Sequence, residues 1–499
     1  MGRIGTDPNP RTWLLGLLAL ASPASAEHVL QSIPLDSPDT GFVAATSFVR
    51  SGDRLYLAGG FFGQVNFNPN GAESLWTSTC PTTDGCSFVA AYDANMEIAW
   101  FDLFYGTGES LDQMLVPRDD GGVYLLLDFS ADLAYLPNTT SPRYHASGTS
   151  DIAAIGLDAD GASVGSAQFG ASGTNALRSA RAYESAADTV ELAWMHLDVA
   201  GLAGTDAFVS RANVATGIVS SPLIALDATD DGNSIAIIED QRVDATGRYV
   251  CGQFRGAVDF DSLHAHRVVS TAPTNGFVAR YDASGALTWF STMQAENGSS
   301  CDGLAVTPDG TLWAIGAFGG LAVVQSDGNP APSVIASWGD DDTYLFAWDA
   351  LGELQTNAHL GGAQTQAFAN RIEAFDDGTL AITGTFLGTL TNGFAGPFAR
   401  SSTSDYGDAF LAVVGNDLSM RRFEQLAFDD GYTFLTPLHA TGPMQIETIA
   451  AMAMPLGGNA YLDYALSPEH ALLHNDGTWA CAYVRYDLDA LLTSGFDAP

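Results

Sequence analysis

The chain has 499 residues and a formal net charge of −39, with 58 acidic residues against 19 basic ones. Every basic residue is Arg, because the sequence contains no Lys. A field of this sign repels phosphate, so we expect no nucleic acid and no anionic lipid as a partner. The absence of Lys also excludes Schiff-base chemistry and the phosphate-binding motifs that depend on Lys.

Residues 1–26 have the pattern of a signal peptide. Arg3 and Arg11 supply positive charge, an apolar run follows from Trp13 to Ala21, and Ala24-Ser25-Ala26 fits a cleavage site. This run is too short to span a bilayer, and no later run is long and apolar enough for a membrane helix. We therefore expect an exported protein that is secreted, at the cell surface or periplasmic, without membrane insertion.

Five cysteines in an exported chain permit disulfides but are too few to form the framework of a fold this large. Cys80 and Cys86 are the expected pair, because together they would close one loop. Cys251 and Cys301 are a possible second pair, which the sequence alone does not establish. Cys481 would then remain as a buried thiol. The alternative is that all five are small buried hydrophobic residues.

One stretch recurs along the chain. Its clearest copies run from Phe88 to Phe101 and from Gly276 to Phe290, where Phe, Tyr, Asp and Trp keep the same offsets. Counting weaker copies, a strand of this stretch ends near positions 93, 158, 213, 282, 349, 415 and 487. The successive differences are 65, 55, 69, 67, 66 and 72 residues, which indicates an array of one supersecondary unit.

Each unit reads as four short strands, of which the second ends in an aromatic or apolar residue beside Gly, as in Val250 to Phe254 and Ile382 to Phe386. This pattern predicts an all-β fold, a single seven-bladed β-propeller of four-stranded antiparallel blades. Residues 27–42 would complete the last blade and close the ring, which removes exposed sheet edges. A solenoid and two stacked sandwiches are the alternatives. The predicted propeller covers 27–499, with blades at about 43–106, 107–171, 172–228, 229–297, 298–362, 363–429 and 430–499.

The repeat resembles a known family. A strand that ends Gly-x-Phe-x-Gly, at Gly252 to Gly256 and Gly384 to Gly388, precedes Phe-Val-Ala-x-Tyr-Asp-x-x-Gly-x-x-x-Trp. This order is similar to the SBBP-type bacterial β-propeller repeat of exported proteins. The resemblance implies a propeller at the cell surface or outside the cell. It implies no catalytic residue, since the family has no shared catalytic motif.

The connections within a unit differ in kind. The first-to-second and third-to-fourth turns are short and rich in Asp and Gly, as at Asp309-Gly310 and Asp282 to Gly285, and a structural role is sufficient for them. The second-to-third connections should meet at the opposite rim, where varied loops on a rigid scaffold usually carry recognition. They are Asn66 to Ser87, Asp132 to Ser150, Asp259 to Asn275, Gln325 to Thr343 and Thr391 to Asp408.

Within these connections, Trp76, Tyr144 and Trp338 are candidate ligand-binding aromatics, because an exposed ring can stack on a sugar or anchor a protein. The run Asp340, Asp341 and Asp342 is a candidate Ca²⁺ site, and no other cofactor is expected. The alternative is that these rings cap the blades and that the Asp run is solvated.

The function that follows is an exported, noncatalytic propeller that acts as a binding or cell-surface interaction scaffold. We expect a monomer that binds a protein or a glycan at the long-loop rim. A glycan hydrolase or lyase is one alternative and would show carboxylates or a His with shifted pKa values at that mouth. A structural envelope component is the other and would show a flat rim and a plugged channel.

Overall fold

The computed structural model describes residues 29–488, except for 36, 38–40, 79–85, 107–112, 137–143, 171, 183–187, 198–203, 230–232, 245, 262–265, 271, 330, 404, 429–431, 443–444, 454–457, 463–470 and 476–478. Every regular element in this part of the chain is a β-strand, which confirms the predicted all-β class. None of the described residues forms a helix of the length and hydropathy needed to cross a membrane. The predicted signal peptide and Cys80 lie outside the described residues.

The strands follow in chain order. The first are β1 (Val29–Leu35), β2 (Phe42–Ser51), β3 (Arg54–Phe62), β4 (Gln64–Asn66), β5 (Leu75–Thr77), β6 (Cys86–Tyr92), β7 (Ile98–Gly106), β8 (Gln113–Pro117), β9 (Val123–Phe129), β10 (Asp132–Leu136) and β11 (Tyr144–His145). Next come β12 (Asp151–Leu157), β13 (Ser163–Phe169), β14 (Thr174–Ala182), β15 (Thr189–Leu197), β16 (Thr205–Asn213), β17 (Ile218–Val219), β18 (Ile224–Ala228), β19 (Ile235–Asp244), β20 (Gly247–Arg255), β21 (Ala257–Asp259) and β22 (Arg267–Val269). They continue with β23 (Asn275–Asp282), β24 (Leu287–Ala295), β25 (Gly303–Val306), β26 (Leu312–Phe318), β27 (Leu321–Ser326), β28 (Ser333–Ala336), β29 (Asp342–Trp348), β30 (Leu354–Leu360) and β31 (Gln366–Ala374). The last are β32 (Leu380–Leu387), β33 (Thr389–Gly393), β34 (Gly396–Ser401), β35 (Asp408–Val414), β36 (Met420–Phe428), β37 (Tyr432–Gly442), β38 (Gln445–Ala453), β39 (Gly458–Leu462), β40 (Ala471–Asn475) and β41 (Trp479–Asp487).

Antiparallel pairing arranges most of these strands into groups of four, each with the spatial order first, second, third, fourth. In the described residues, groups 1 to 7 are β2-β3-β6-β7, β8-β9-β12-β13, β14-β15-β16-β18, β19-β20-β23-β24, β25-β26-β29-β30, β31-β32-β35-β36 and β37-β38-β41-β1. The first strand of each group contacts the first strand of the next, and β37 contacts β2.

The N-terminal strand β1 supplies the fourth strand of group 7. It pairs with β41 from Val29 opposite Tyr486 to Leu35 opposite Cys481. Polar contacts reinforce this junction, because the Arg50 guanidinium on β2 donates to Glu447 Oε1 on β38 at 2.6 Å and to the Tyr483 hydroxyl on β41 at 2.8 Å. Backbone bonds therefore join the first and last described strands, and side-chain bonds link β2 to the same group.

The hydrophobic cores lie between neighbouring groups. Tyr56 and Leu125, for example, belong to a core shared by groups 1 and 2. Equivalent clusters join groups 2 and 3, 3 and 4, 4 and 5, 5 and 6, and 6 and 7. Groups 7 and 1 share one as well, which contains Ile33 on β1, Tyr483 on β41 and Phe88 on β6. Each group thus buries both faces of its sheet, as the nearly continuous apolar second and third strands require.

The sequence analysis treated the second-to-third connections as loops. In the structure, most of their described residues form β-hairpins instead. The hairpin β10-β11 pairs with β7, β21-β22 pairs with β18, β27-β28 pairs with β24, and β39-β40 pairs with β36. Each of these four hairpins extends the outer edge of the preceding group. This arrangement covers an edge strand that would otherwise expose unpaired backbone groups.

Two cysteine predictions can be compared with the structure. Cys251 on β20 and Cys301 before β25 form a disulfide, with their Cα atoms 5.6 Å apart, that ties group 4 to group 5. Cys481 is a buried thiol outside any disulfide, as predicted. Cys86 is disulfide-bonded, and its proposed partner Cys80 is outside the described residues.

Candidate functional site

The first strands carry a β-bulge at a recurring position. The register shifts by one residue between Ala45 and Ser47, between Ile238 and Asp240, and between Ala369 and Arg371. The second strand places a glycine opposite each shift, and a Cβ on Gly252 would lie 1.9 Å from the Ile237 carbonyl oxygen. The Gly of the Gly-x-Phe motif is therefore required by close backbone approach.

A bulge redirects side chains and frees polar groups at the edge of a sheet. At these positions the extra residues are polar, namely Thr46, Glu239 and Asn370, and Asp302 occupies the corresponding place just before β25. Each of the four is at least partly exposed. Each first strand is one edge of its four-stranded sheet. At the bulge, this edge presents a polar side chain to solvent.

Seven charged or titratable side chains on or beside the first strands form what we call the first-strand cluster: Glu239, Asp240, Arg242, Asp302, Arg371, Glu373 and His439. Three contacts between groups bring them together. Arg242 Nη2 lies 3.2 Å from Glu373 Oε1, Leu304 N donates to Asp240 Oδ2 at 2.9 Å, and Arg371 Nη1 donates to the Asp302 carbonyl at 3.3 Å. These contacts join groups 4, 5 and 6, and His439 on β37 adds a member from group 7.

The Arg242 and Glu373 side chains are 31% and 26% exposed, so this ion pair is in contact with solvent. Arg242 Nη1 also lies 3.1 Å from Asp240 Oδ1. Burial alone would lower the pKa of Arg242, but the charges of Asp240 and Glu373 outweigh it and raise that pKa. Arg242 and Asp240 are thus mutually satisfied and serve chiefly to hold the first strands in place.

Burial shifts the pKa values of three members of the cluster in favour of their uncharged forms. One is Glu373, whose pKa is raised by burial against the opposing charge of Arg242. Burial, together with the charge of Glu239, raises the pKa of Asp302 to about 7, against the opposing effects of Ser300 and Arg371. Burial and the positive charge of Arg242 lower the pKa of His439 to about 4. Near neutral pH, His439 is therefore uncharged and Asp302 is close to half protonated, a property typical of functional sites.

The sequence-predicted aromatics are dispersed. Trp76 on β5 is 37% exposed and packs on Phe101 with ring centroids 4.4 Å apart. Trp338 is 43% exposed and stacks on His359 at 3.7 Å. Tyr144 is buried and packs against another ring, so it offers no open face. The structure does not bring these three together.

The acidic run is likewise divided. Asp342 is fully buried, and its carboxylate accepts from Trp338 N at 2.9 Å and contacts His359 Nδ1 at 2.8 Å. Asp340 is exposed, and burial raises the pKa of Asp341, with its two Asp neighbours adding to the effect. Among the residues that the structure describes, no three His, Cys, Asp or Glu side chains are arranged to hold a metal ion. Ca²⁺ binding by Asp340, Asp341 and Asp342 stays a prediction.

The sequence interpretation missed a recurring buried Asp at the start of the third strand. Its partner lies 17 residues later in three groups: Asp151 with Gln168 at 2.6 Å, Asp342 with His359 at 2.8 Å, and Asp408 with Gln425 at 2.6 Å. Because Gln serves in two of the three pairs, His359 has a structural role here. The fixed spacing was visible in the sequence and identifies Asp342 as an anchor of its loop.

The Asp residues of the tight turns act as turn formers, as predicted. Asp282 Oδ1 accepts from Ser284 N at 2.8 Å and Ala286 N at 3.0 Å, and Asp349 Oδ1 makes the same pair of bonds. Hydrogen bonds from Ser284 and the turn backbone lower the pKa of Asp282. These carboxylates already have donors, so the first-strand cluster is the better candidate for a site.

No protein-family description matches the chain, and no curated protein does. Among solved structures, the β-propeller domain of Cps50 (Swd1) from Myceliophteria thermophila has 12% identity and a TM-score of 0.28, covering 69% of this chain and 96% of that one. An ulvan lyase of polysaccharide lyase family PL25, solved alone and bound to -[GlcA(1-4)Rha3S]-, has 8% identity and a TM-score of 0.40, covering 84% of this chain and 93% of that one. Similarities of this size support no inference about the activity or ligand of this chain.

Proposed function

We propose that this chain is an exported, noncatalytic seven-bladed β-propeller of the SBBP-type repeat family that acts as a binding or cell-surface interaction scaffold. The ring is supported by the core between each pair of successive groups, including groups 7 and 1, and by the pairing of β1 with β41. In such a ring the first strands surround the axis. The first-strand cluster then lines an axial channel.

The observation that carries the binding role is the exposure of charged side chains from groups 4, 5 and 6 at one place on these strands. Asp302 N donates to the Ile315 carbonyl near the middle of β26, so the cluster lies inside the axis, and we place the entry for a ligand at the mouth on the side of the second-to-third connections. A protein or a glycan is the expected partner. Solvent contact by Arg242 and Glu373 argues against a plugged channel and hence against a purely structural role.

The test is a thermal-shift screen of the mature protein against neutral and acidic oligosaccharides, since a ligand that binds only the folded state raises the melting temperature. We expect at least one class to raise it. The aromatic variants Trp76→Ala and Trp338→Ala serve as comparisons. Loss of the shift in either variant would move the site from the axis to the hairpins, and no shift with any ligand would contradict a glycan-binding role.

One observation favours a second candidate, a glycan hydrolase or lyase. Asp302 has a pKa of about 7, which suits a general acid near neutral pH, and His439 in the same cluster is uncharged there. Incubation with polysaccharides separates the two functions. New reducing ends that disappear in Asp302→Asn would establish catalysis, whereas binding without product favours the scaffold.

A further inference from the structure

Arg371 on β31 differs from the other charged residues of the cluster. Its Nη1 donates to two main-chain carbonyls, those of Asn370 at 2.9 Å and Asp302 at 3.3 Å. Within the described part of the chain, its Nε and Nη2 have no acceptor and no carboxylate lies within ion-pair distance. Neither nitrogen is a buried atom, so both are reached by solvent. The guanidinium is held in position while one of its donor edges stays open.

In a chain with 58 acidic and 19 basic residues an Arg has a large choice of partners, although Arg178, Arg255 and Arg400 also form no ion pair among the described residues. Buried Glu191 has Arg248 at 3.0 Å and Arg211 at 2.9 Å, and even exposed Asp160 has Arg54 at 3.4 Å. An open Arg beside several carboxylates therefore needs an explanation. The bonds from Arg371 Nη1 to the carbonyls of Asp302 and Asn370 give a structural role to that nitrogen only. They leave Nε and Nη2 without a role.

Asp302 completes the arrangement. Its Oδ2 accepts from Ser300 Oγ at 2.9 Å, whereas its Oδ1 has no donor among the described residues and is not buried. The charge of Arg371 influences the pKa of Asp302, yet the two side chains do not form an ion pair. A carboxyl oxygen and two guanidinium nitrogens are thus open to solvent in the same cluster.

We propose that the first-strand cluster binds a ligand carboxylate, with Nε and Nη2 of Arg371 as the anchoring donors and Asp302 beside it. This inference rests on the proposed binding function and specifies its ligand class. The planar guanidinium fork matches a carboxylate in a two-bond contact, which is stronger and more directional than a contact with a point charge. A protonated Asp302 donates a further hydrogen bond, whereas an ionised Asp302 repels the ligand.

The pH dependence follows from the groups that face Asp302. They are Glu239 on β19, Tyr344 on β29 and Arg371 on β31. Burial raises the pKa of Tyr344 well above its ordinary value, so Tyr344 stays neutral, and the pKa of Asp302 is about 7. Affinity for a carboxylate therefore falls as the pH rises through 7.

The experiment is calorimetric titration with sodium galacturonate and with galactose, two sugars that differ in the carboxylate. We expect galacturonate to bind more tightly than galactose, and Arg371→Gln to weaken galacturonate about tenfold or more. Arg255→Gln, at an exposed Arg on β20, is the matched control and should bind as the original protein does. Equal binding of both sugars by the unmodified protein would overturn the proposal without any variant.

Two further arms complete the design. The Asp302→Asn variant keeps a hydrogen-bond donor at this position but cannot ionise, so its affinity for galacturonate should stay constant between pH 6 and 8. If its affinity instead falls with pH as that of the unmodified protein does, Asp302 does not have the proposed role. Acetate and trigalacturonate separate a free acid from a uronate in a glycan. If neutral oligosaccharides bind and no carboxylate does, the carboxylate site is disproved and the binding function stands. Absence of binding by every glycan and every carboxylate contradicts both the carboxylate site and a glycan-binding role.

Discussion

Asp302 and His439 are the residues whose ionisation should link the cluster to folding. The folded-state pKa of Asp302 is about 7 against an ordinary 3.8, so the folded protein keeps a proton that the unfolded chain releases. Its contribution to stability is complete below pH 4 and is lost as the pH rises to 7. For His439 the folded pKa of about 4 lies below 6.5, so its contribution is present above pH 6.5 and is lost as the pH falls to 4.

Because the two contributions have opposite signs between pH 4 and 6.5, single variants are needed to see them. We predict that Asp302→Asn gains stability relative to the unmodified protein as the pH rises from 4 to 7, by about 1–3 kcal/mol. His439→Gln should gain instead as the pH falls from 6.5 to 4. Urea unfolding at each pH measures both effects. If the free energy of unfolding changes with pH in the same way for all three proteins, the pKa of neither group is shifted by folding.

At the scale of the element, the bulged first strand and its glycine form one device. On Gly384 a Cβ would lie 2.3 Å from the Phe368 carbonyl oxygen and 2.7 Å from the Phe410 ring. The backbone of the bulge would have to move, which would displace Asn370 and Arg371. The motif that carries the family resemblance therefore also shapes the cluster.

We predict that Gly384→Ala destabilises the protein by about 3 kcal/mol or more, since it forces a backbone shift in a packed sheet. Gly378→Ala in the same group is the control. Gly378 has φ +81° and nothing within 4 Å, so only the left-handed conformation is penalised, by about 1 kcal/mol. Equal losses for both variants in chemical unfolding would show that the close approach at the bulge is absent.

Sequence patterns predict some of these elements and not others. The Asp-x-x-Gly turn at Asp282 and the apolar second strand ending at Phe254 are local, so periodicity and turn chemistry predict them. The bulge adds a single residue to a strand, and no residue type marks it on the first strand itself. The hairpin pairings were missed because β10 bonds to the preceding group, a contact that depends on tertiary packing.

The cluster was missed for the same reason. Arg242, Asp302 and Arg371 are more than fifty residues apart and belong to no motif, so only the packing of successive first strands brings them together. Trp76 and Trp338 were selected as exposed aromatics, and both are exposed, but each already packs on another ring. Residue type indicated exposure; it did not indicate convergence.

In the whole molecule, the proposed ring depends on the junction of the first and last described strands, β1 and β41. Ile33 and Leu35 on β1 are completely buried in the core shared with group 1. We predict that Ile33→Ala lowers the free energy of unfolding by about 2–4 kcal/mol. Val334→Ala on β28, where the side chain is 57% exposed, is the control and should change it by about 0.5 kcal/mol or less. Equal, small effects in both variants would mean that β1 does not pack in the last group.

The most direct test is X-ray diffraction from crystals of the mature protein grown with sodium galacturonate. We predict seven four-stranded blades closed by β1 against β41, and density for the ligand carboxylate on Nε and Nη2 of Arg371. An open array of sheets would contradict the ring. Arg371 paired with a carboxylate of the protein itself would contradict the binding site.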